Sequence, residues 1–208
     1  MATLTQDVTS QDIDYLNVAG DCLKLRLFKP NGKGPFSLVV MLHGGAWNDG
    51  DFTRCDQQGE AWAKAGLAVA SLDFRHGTDR YPSSLLDINY GIRWLKTHAQ
   101  ELDLNPSKVG LAGQSSGGHL AMLAAMRPKN ERYTCISVEN SSTHIDAAVQ
   151  CVGMAWPVIN PLSRYRHAKR CIENEGEGSW AKGMPEKHEN YWVTEENMSE
   201  GNPMLALE

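Results

Sequence analysis

The sequence predicts an α/β chain, with a mainly parallel sheet carrying helices on both faces. Three observations lead there. Apolar runs of strand length recur at residues 38–42, 67–72, 109–113 and 147–155. Stretches with helical character stand between successive runs. Gly-rich segments follow the first and third runs, where a strand-to-helix turn would fall.

The elements follow in order. Residues 13–18 and 22–28 partly alternate, as in Asp12-Ile13-Asp14-Tyr15 and Lys24-Leu25-Arg26-Leu27. Gly20-Asp21 between them is a hairpin signal, so the chain is expected to open with two antiparallel edge strands. Ser37-Leu38-Val39-Val40-Met41-Leu42 is continuously apolar, as in a strand covered on both faces. A helical stretch lies near residues 56–65, and residues 67–72 form a second buried strand. Residues 83–99 are the clearest helix, because Leu85, Ile88, Ile92, Leu95 and Ala99 share one face. Ser84 and Asp87 stand at capping-box spacing, with Asp in place of Glu. Residues 109–113 form a third strand, 116–126 a third helix and 147–155 a fourth apolar run. After Trp156 charged residues are frequent, and Trp180, Tyr191 and Trp192 show no clean period. Residues 160–200 are expected to be a surface excursion or a substrate-covering lid within a single domain spanning 1–208.

Composition narrows the function classes. The chain has 208 residues, 41% hydrophobic and 22% charged, enough for one domain with its own core. Twenty Lys and Arg against 25 Asp and Glu leave a formal charge of −5, which argues against phosphate-driven nucleic-acid binding. No apolar run reaches the roughly 18 residues of a membrane span. The N-terminus lacks a basic stretch followed by an apolar one, so no secretory leader is expected. The five cysteines are odd in number and include no C-x-x-C pair. Reduced, mostly buried thiols in a cytoplasmic protein are the expectation.

Two motifs carry chemistry. Gly113-Gln114-Ser115-Ser116-Gly117 is G-x-S-x-G, preceded by an apolar strand and opening a helix. A serine on such a turn projects its hydroxyl from the sheet, and the helix N-terminus offers free N–H groups to a developing anion. Ser115 is therefore the expected nucleophile. His43-Gly44-Gly45-Ala46-Trp47 directly follows the first buried strand, where glycines let backbone N–H groups turn toward a ligand. The N–H groups of Gly45, Ala46 and Ser116 are the expected oxyanion donors.

Together these motifs resemble the α/β-hydrolase fold, and most of all its hormone-sensitive-lipase-like esterases, including the feruloyl-esterase-like (BD-FAE-like) group. The group's H-G-G-x-W is matched here. So is its G-G-H-L-A continuation, by Gly117-Gly118-His119-Leu120-Ala121. Leu72-Asp73-Phe74-Arg75 is similar to its D-Y-R segment, Trp156-Pro157-Val158-Ile159 to Y-P-V-I, and Asn202-Pro203-Met204-Leu205 to S-P-x-x. The resemblance implies a serine hydrolase of small-molecule carboxylic esters with small or medium acyl groups. It also admits an amidase or formamidase, and it implies neither metal nor organic cofactor.

The family's triad runs Ser, then Asp or Glu, then His. Asp146 is the only Asp after Ser115, and it leads the fourth apolar run instead of following a strand. Among the later histidines, His119 is expected to be packed in the elbow helix and His144 to lie in a loop, with His167 and His188 on the surface. The ring of His43 is expected to hold its own loop. A triad without a base implies a truncated form or one piece of a two-chain enzyme. It also implies an exposed sheet edge that a homo-oligomer or a second chain would complete. The competing class is a non-catalytic ligand-binding module or fragment.

Overall fold

The computed structural model describes residues 7–18, 20–139 and 145–206. Strands β1 (Val8–Val18) and β2 (Asp21–Pro30) pair antiparallel from Val8↔Pro30 to Val18↔Asp21, with a register slip between Asp14 and Leu16. Both are longer than alternation alone indicates. β3 (Phe36–Leu42), β4 (Ala68–Leu72), β5 (Leu104–Gln114) and β6 (Cys151–Ala155) complete a six-stranded sheet in the order β1-β2-β4-β3-β5-β6. The β3–β4, β3–β5 and β5–β6 pairs are parallel, and β2 meets β4 antiparallel.

Alternation along the central strands divides the core between the two faces. Leu38, Val40 and Leu42 of β3 join Ala68, Ala70 and Leu72 of β4 in the larger core, with helix α2 (Ser83–Thr97) and helix α3 (Ser116–Met126). Met41 and Val69 point the other way, to Phe28, Cys55 and Ala63, the last of these on helix α1 (Asp56–Lys64). The parallel strands are therefore covered on both sides, as their unbroken apolar runs require.

Several expectations change. The fourth apolar run becomes strand only from Cys151, because Lys96 Nζ takes the carbonyls of Asp146 and Ala148 away from any ladder. Ser84 and Asp87 form no capping box: Ser84 Oγ donates to Arg75 O, and Asp87 binds the Arg75 guanidinium. The thiols are not mostly buried, since only Cys55 is; Cys22, Cys135 and Cys151 are exposed.

The segment after Trp156 forms helices α4 (Pro161–Glu175), α5 (Met184–Trp192) and α6 (Glu195–Glu200). Its aromatics are not scattered over a surface. Tyr191 and Trp192 are fully buried around Trp47, while Trp180 stays exposed. His188 is also fully buried, which overturns its expected surface position: α5 turns its imidazole edge-on to Trp47 at 5.1 Å. β1 and β6 are the edge strands, with Met154 on β6 exposed and Trp156 just beyond it 76% exposed. A cleft of about 250 Å³ lies between α1 and this edge, lined by Met41, Cys55, Trp62, Ala112 and Met154 among others. Among the described residues no helix is long and apolar enough to cross a membrane.

Candidate active site

β5 ends at Gln114 and α3 begins at Ser116, so one residue, Ser115, makes the turn between strand and helix. Its backbone sits at φ 54°, ψ −123°, a conformation L-residues rarely adopt. Three hydrogen bonds hold it there. Ser115 N–H donates to Ala155 O at 2.9 Å, and Ser115 O accepts from the N–H groups of His119 (3.1 Å) and Val158 (3.4 Å). The turn is this tight because its neighbours lack side chains. A Cβ on Gly117 would run into the carbonyl oxygens of Leu42 and His43.

The loop after β3 lies against this turn. A Cβ on Gly44 would stand 3.3 Å from Ser115 Cβ, so the glycine permits the approach. Gly45, Ala46 and Trp47 all have positive φ (137°, 52° and 61°), which folds the loop into a tight hook. Among the described residues the N–H groups of Gly45 and Ala46 donate to no acceptor. Ser116 opens α3, so its N–H has no partner within the helix. The four residues expected to act together, Ser115, Gly45, Ala46 and Ser116, thus fall on two abutting turns. Gly44, which brings those turns together, was not among them.

The loop is held from three directions. His43 is buried, stacks on Phe74 at 4.3 Å and donates from Nδ1 to Gly44 O at 2.8 Å. Trp47 is buried under α5 and donates from Nε1 to His119 Nδ1 at 3.2 Å. Asn48 Nδ2 donates to Ala46 O and Lys187 O, both at 2.7 Å, tying the loop to α5. Nothing in its spacing marked Asn48; only its place directly after H-G-G-A-W hinted at a turn role.

The histidines are accounted for one by one. His119 is fully buried, accepts from Trp47 at Nδ1 and donates from Nε2 to Gly201 O at 2.7 Å, which fixes its tautomer. His188 donates from Nδ1 to Met184 O at 2.8 Å. Burial pushes the pKa of His43, His119 and His188 down to about 4 each, so all three are neutral at pH 7. His167 is exposed on α4, and His98 stacks on Trp94. His76 contacts Gly50 O through Nε2. Among the described residues none of them hydrogen-bonds Ser115 Oγ; His144 lies outside those residues. Asp146 pairs with Lys96 and Lys129, both at 3.6 Å, and precedes β6 by five residues, at the end of the sheet opposite Ser115.

Comparison with known proteins gives a consistent result. The BD-FAE family model matches residues 25–194. Esterase LipC of Mycobacterium tuberculosis is 30% identical over 124 residues, covering 57% of this chain and 30% of LipC. Carboxylesterase NlhH of the same organism is 34% identical over 90 residues, 42% of this chain and 28% of NlhH. The chain therefore spans about a third or less of the length of these relatives. Among solved structures, a thermostable carboxylesterase from a metagenomic library, EstE1, superposes with a TM-score of 0.75 at 20% identity, covering 96% of this chain and 65% of EstE1. Esterase 2 of Thermogutta terrifontis does so with a TM-score of 0.62 at 27% identity, over 73% of this chain and 58% of the esterase.

Proposed function

This chain belongs to the BD-FAE family and has the α/β-hydrolase fold, and from that premise we propose that it carries the nucleophilic half of a serine hydrolase of small-molecule carboxylic esters. The observation that supports this most is Ser115 at φ 54° on the turn from β5 into α3, beside a hooked loop whose Gly45 and Ala46 N–H groups are free among the described residues.

In this reading Ser115 Oγ attacks the acyl carbon and gives up its proton to a base. The carbonyl oxygen becomes an oxyanion, held by the N–H groups of Gly45, Ala46 and Ser116. Collapse of the tetrahedral intermediate expels the alcohol, which takes the proton. Water then repeats the attack on the acyl-enzyme, releasing the acid and restoring Ser115. None of the described histidines hydrogen-bonds Ser115 Oγ, so in this reading the base comes from outside the described residues.

Labelling with a fluorophosphonate tests the reading. Protein from its native source is treated, its intact mass recorded and the adduct mapped. The expected result is one adduct on Ser115, absent from Ser115→Ala. A folded protein that takes no label would overturn the proposal in favour of a ligand-binding module built on the same fold.

A further inference from the structure

A buried polar chain runs from Trp47 through His119 to Gly201, and the reaction as derived makes no use of it. Trp47 directly follows Gly45 and Ala46, the expected oxyanion donors, and is 2% exposed. His119 is fully buried, one helical turn after Ser115. Its imidazole stands edge-on to the indole at 5.4 Å, and Trp47 Nε1 donates to its Nδ1 at 3.2 Å. Its Nε2 donates to Gly201 O at 2.7 Å. An indole N–H only donates and a carbonyl only accepts, so the two partners together fix which ring nitrogen carries the proton. Gly201 is held in turn, because it packs so closely on the Trp192 ring that a Cβ there would overlap it.

The chain closes a ring around the site. The backbone N–H of His119 donates to Ser115 O at 3.1 Å, while its side chain holds Trp47. From Trp47 the loop runs back through Ala46 and Gly45 to Gly44, which abuts Ser115. Other bonds secure the loop elsewhere: Asn48 ties it to α5, and Trp47 O accepts from Gly77 N–H at 2.7 Å. Among the described residues only the His119 side chain hydrogen-bonds this loop to the helix that begins at the nucleophile. The loop needs such an anchor. Ala46 and Trp47 are consecutive non-glycine residues at positive φ, and backbone of this kind persists only where its surroundings hold it. A satisfied buried polar pair specifies one geometry where apolar packing would tolerate several.

We propose that His119 is a positioning residue for the oxyanion hole. Its Nδ1, kept an acceptor by Gly201, holds the Trp47 indole, and through it the N–H groups of Gly45 and Ala46 at a fixed distance from Ser115. Donors set in advance stabilise the developing oxyanion without reorganising, and a shift of about 1 Å can cost on the order of a hundredfold in rate. The rate effect rests on the serine-esterase reading; the anchoring of the loop does not.

Two measurements on the full chain separate these layers, using Trp47→Phe, His119→Leu and His119→Asn. Trp47→Phe keeps a ring without the donor. His119→Leu removes both ring nitrogens, and His119→Asn keeps an acceptor near the Nδ1 position but is too short to reach Gly201. The first measurement is the NMR spectrum of the indole N–H groups, in which Trp47→Phe identifies the Trp47 resonance. That resonance is expected to move upfield in His119→Leu and to stay close to its wild-type position in His119→Asn. An unmoved resonance in His119→Leu overturns the anchor. The second is hydrolysis of 4-nitrophenyl butyrate, with kcat expressed per site titrated by fluorophosphonate so that unfolded protein is not counted. kcat is expected to fall about tenfold to a hundredfold in Trp47→Phe and in His119→Leu, with KM within about twofold. The double variant is expected to lose no more than either single one, because both break the same bond. His119→Asn is expected to recover most of the lost kcat although it melts below wild type, since Gly201 O has lost its donor. Unchanged kcat in the single variants, additive losses in the double one, or losses that simply follow melting temperature overturn the positioning role. Trp47→Phe carries the kinetic test if His119→Leu does not fold. If wild type hydrolyses no ester, the esterase reading and the rate effect fall together, and the indole resonance still decides the anchor.

Discussion

At Ser115 the backbone pays a conformational penalty that its position demands. At φ 54°, ψ −123° a Cβ costs about 1–3 kcal/mol relative to a relaxed residue. Glycine would relieve that strain, while its greater freedom in the unfolded chain costs about 0.5–1 kcal/mol. Relief of strain outweighs the lost entropy, so Ser115→Gly should be more stable than Ser115→Ala by about 1 kcal/mol. Urea melts of the two variants check this, and equal midpoints would show that the turn is unstrained. At His119 the side chain has one proton and two commitments, to Trp47 and to Gly201. That it would pack within the elbow helix was legible from its place one turn after Ser115. That it bridges to Gly201 was not, because nothing in the local pattern names a partner 82 residues away.

Among elements, the pairing of Arg75 with Asp87 decides how α2 sits on the sheet. Asp87 is fully buried and takes three bonds from the guanidinium, at 2.7, 2.9 and 3.3 Å, and one from Arg75 N–H at 2.9 Å. Asp87→Ala would leave Arg75 buried and unpaired, at a cost of about 3–5 kcal/mol. Asp87→Asn, which keeps one acceptor oxygen, should cost less. Chemical denaturation of both variants gives the comparison, and equal losses would mean that the charge contributes nothing beyond the hydrogen bond. The same pair shows where sequence reading stops. Ser84 and Asp87 have capping spacing, and the spacing is silent about Arg75, which arrives from the far end of β4. By contrast β3, β4, α1, α2 and α3 were legible, because strand-length apolar runs and a 3.6-residue stripe are local signals. Helices α4 to α6 were not. Their buried face is defined by Trp47, some 140 residues earlier, so Tyr191, Trp192 and His188 look unpatterned until that tryptophan is placed beside them.

For the whole molecule, three buried neutral histidines set the acid limit of stability. The folded-state pKa values of His43, His119 and His188 lie near 4, below the ordinary value of about 6.5. Unfolding therefore takes up protons between those limits. The stabilisation is fully present above pH 6.5 and is lost as pH falls toward 4. With three such groups the loss approaches about 4 kcal/mol per pH unit below pH 6. Urea melts from pH 7.5 to 5 should show it, and His119→Gln should reduce the slope by about a third; a flat profile would mean that the rings are not desolvated. The bond from His119 to Gly201 also bears on how the protein is made. On the ribosome β5 and the elbow helix emerge well before Gly201, and at about 5–20 residues per second the interval is roughly 4–16 s. For that time the imidazole of His119 has neither Trp192 packed on it nor the Gly201 carbonyl to bond, so the helix after Ser115 is made well before the segment that covers and anchors it.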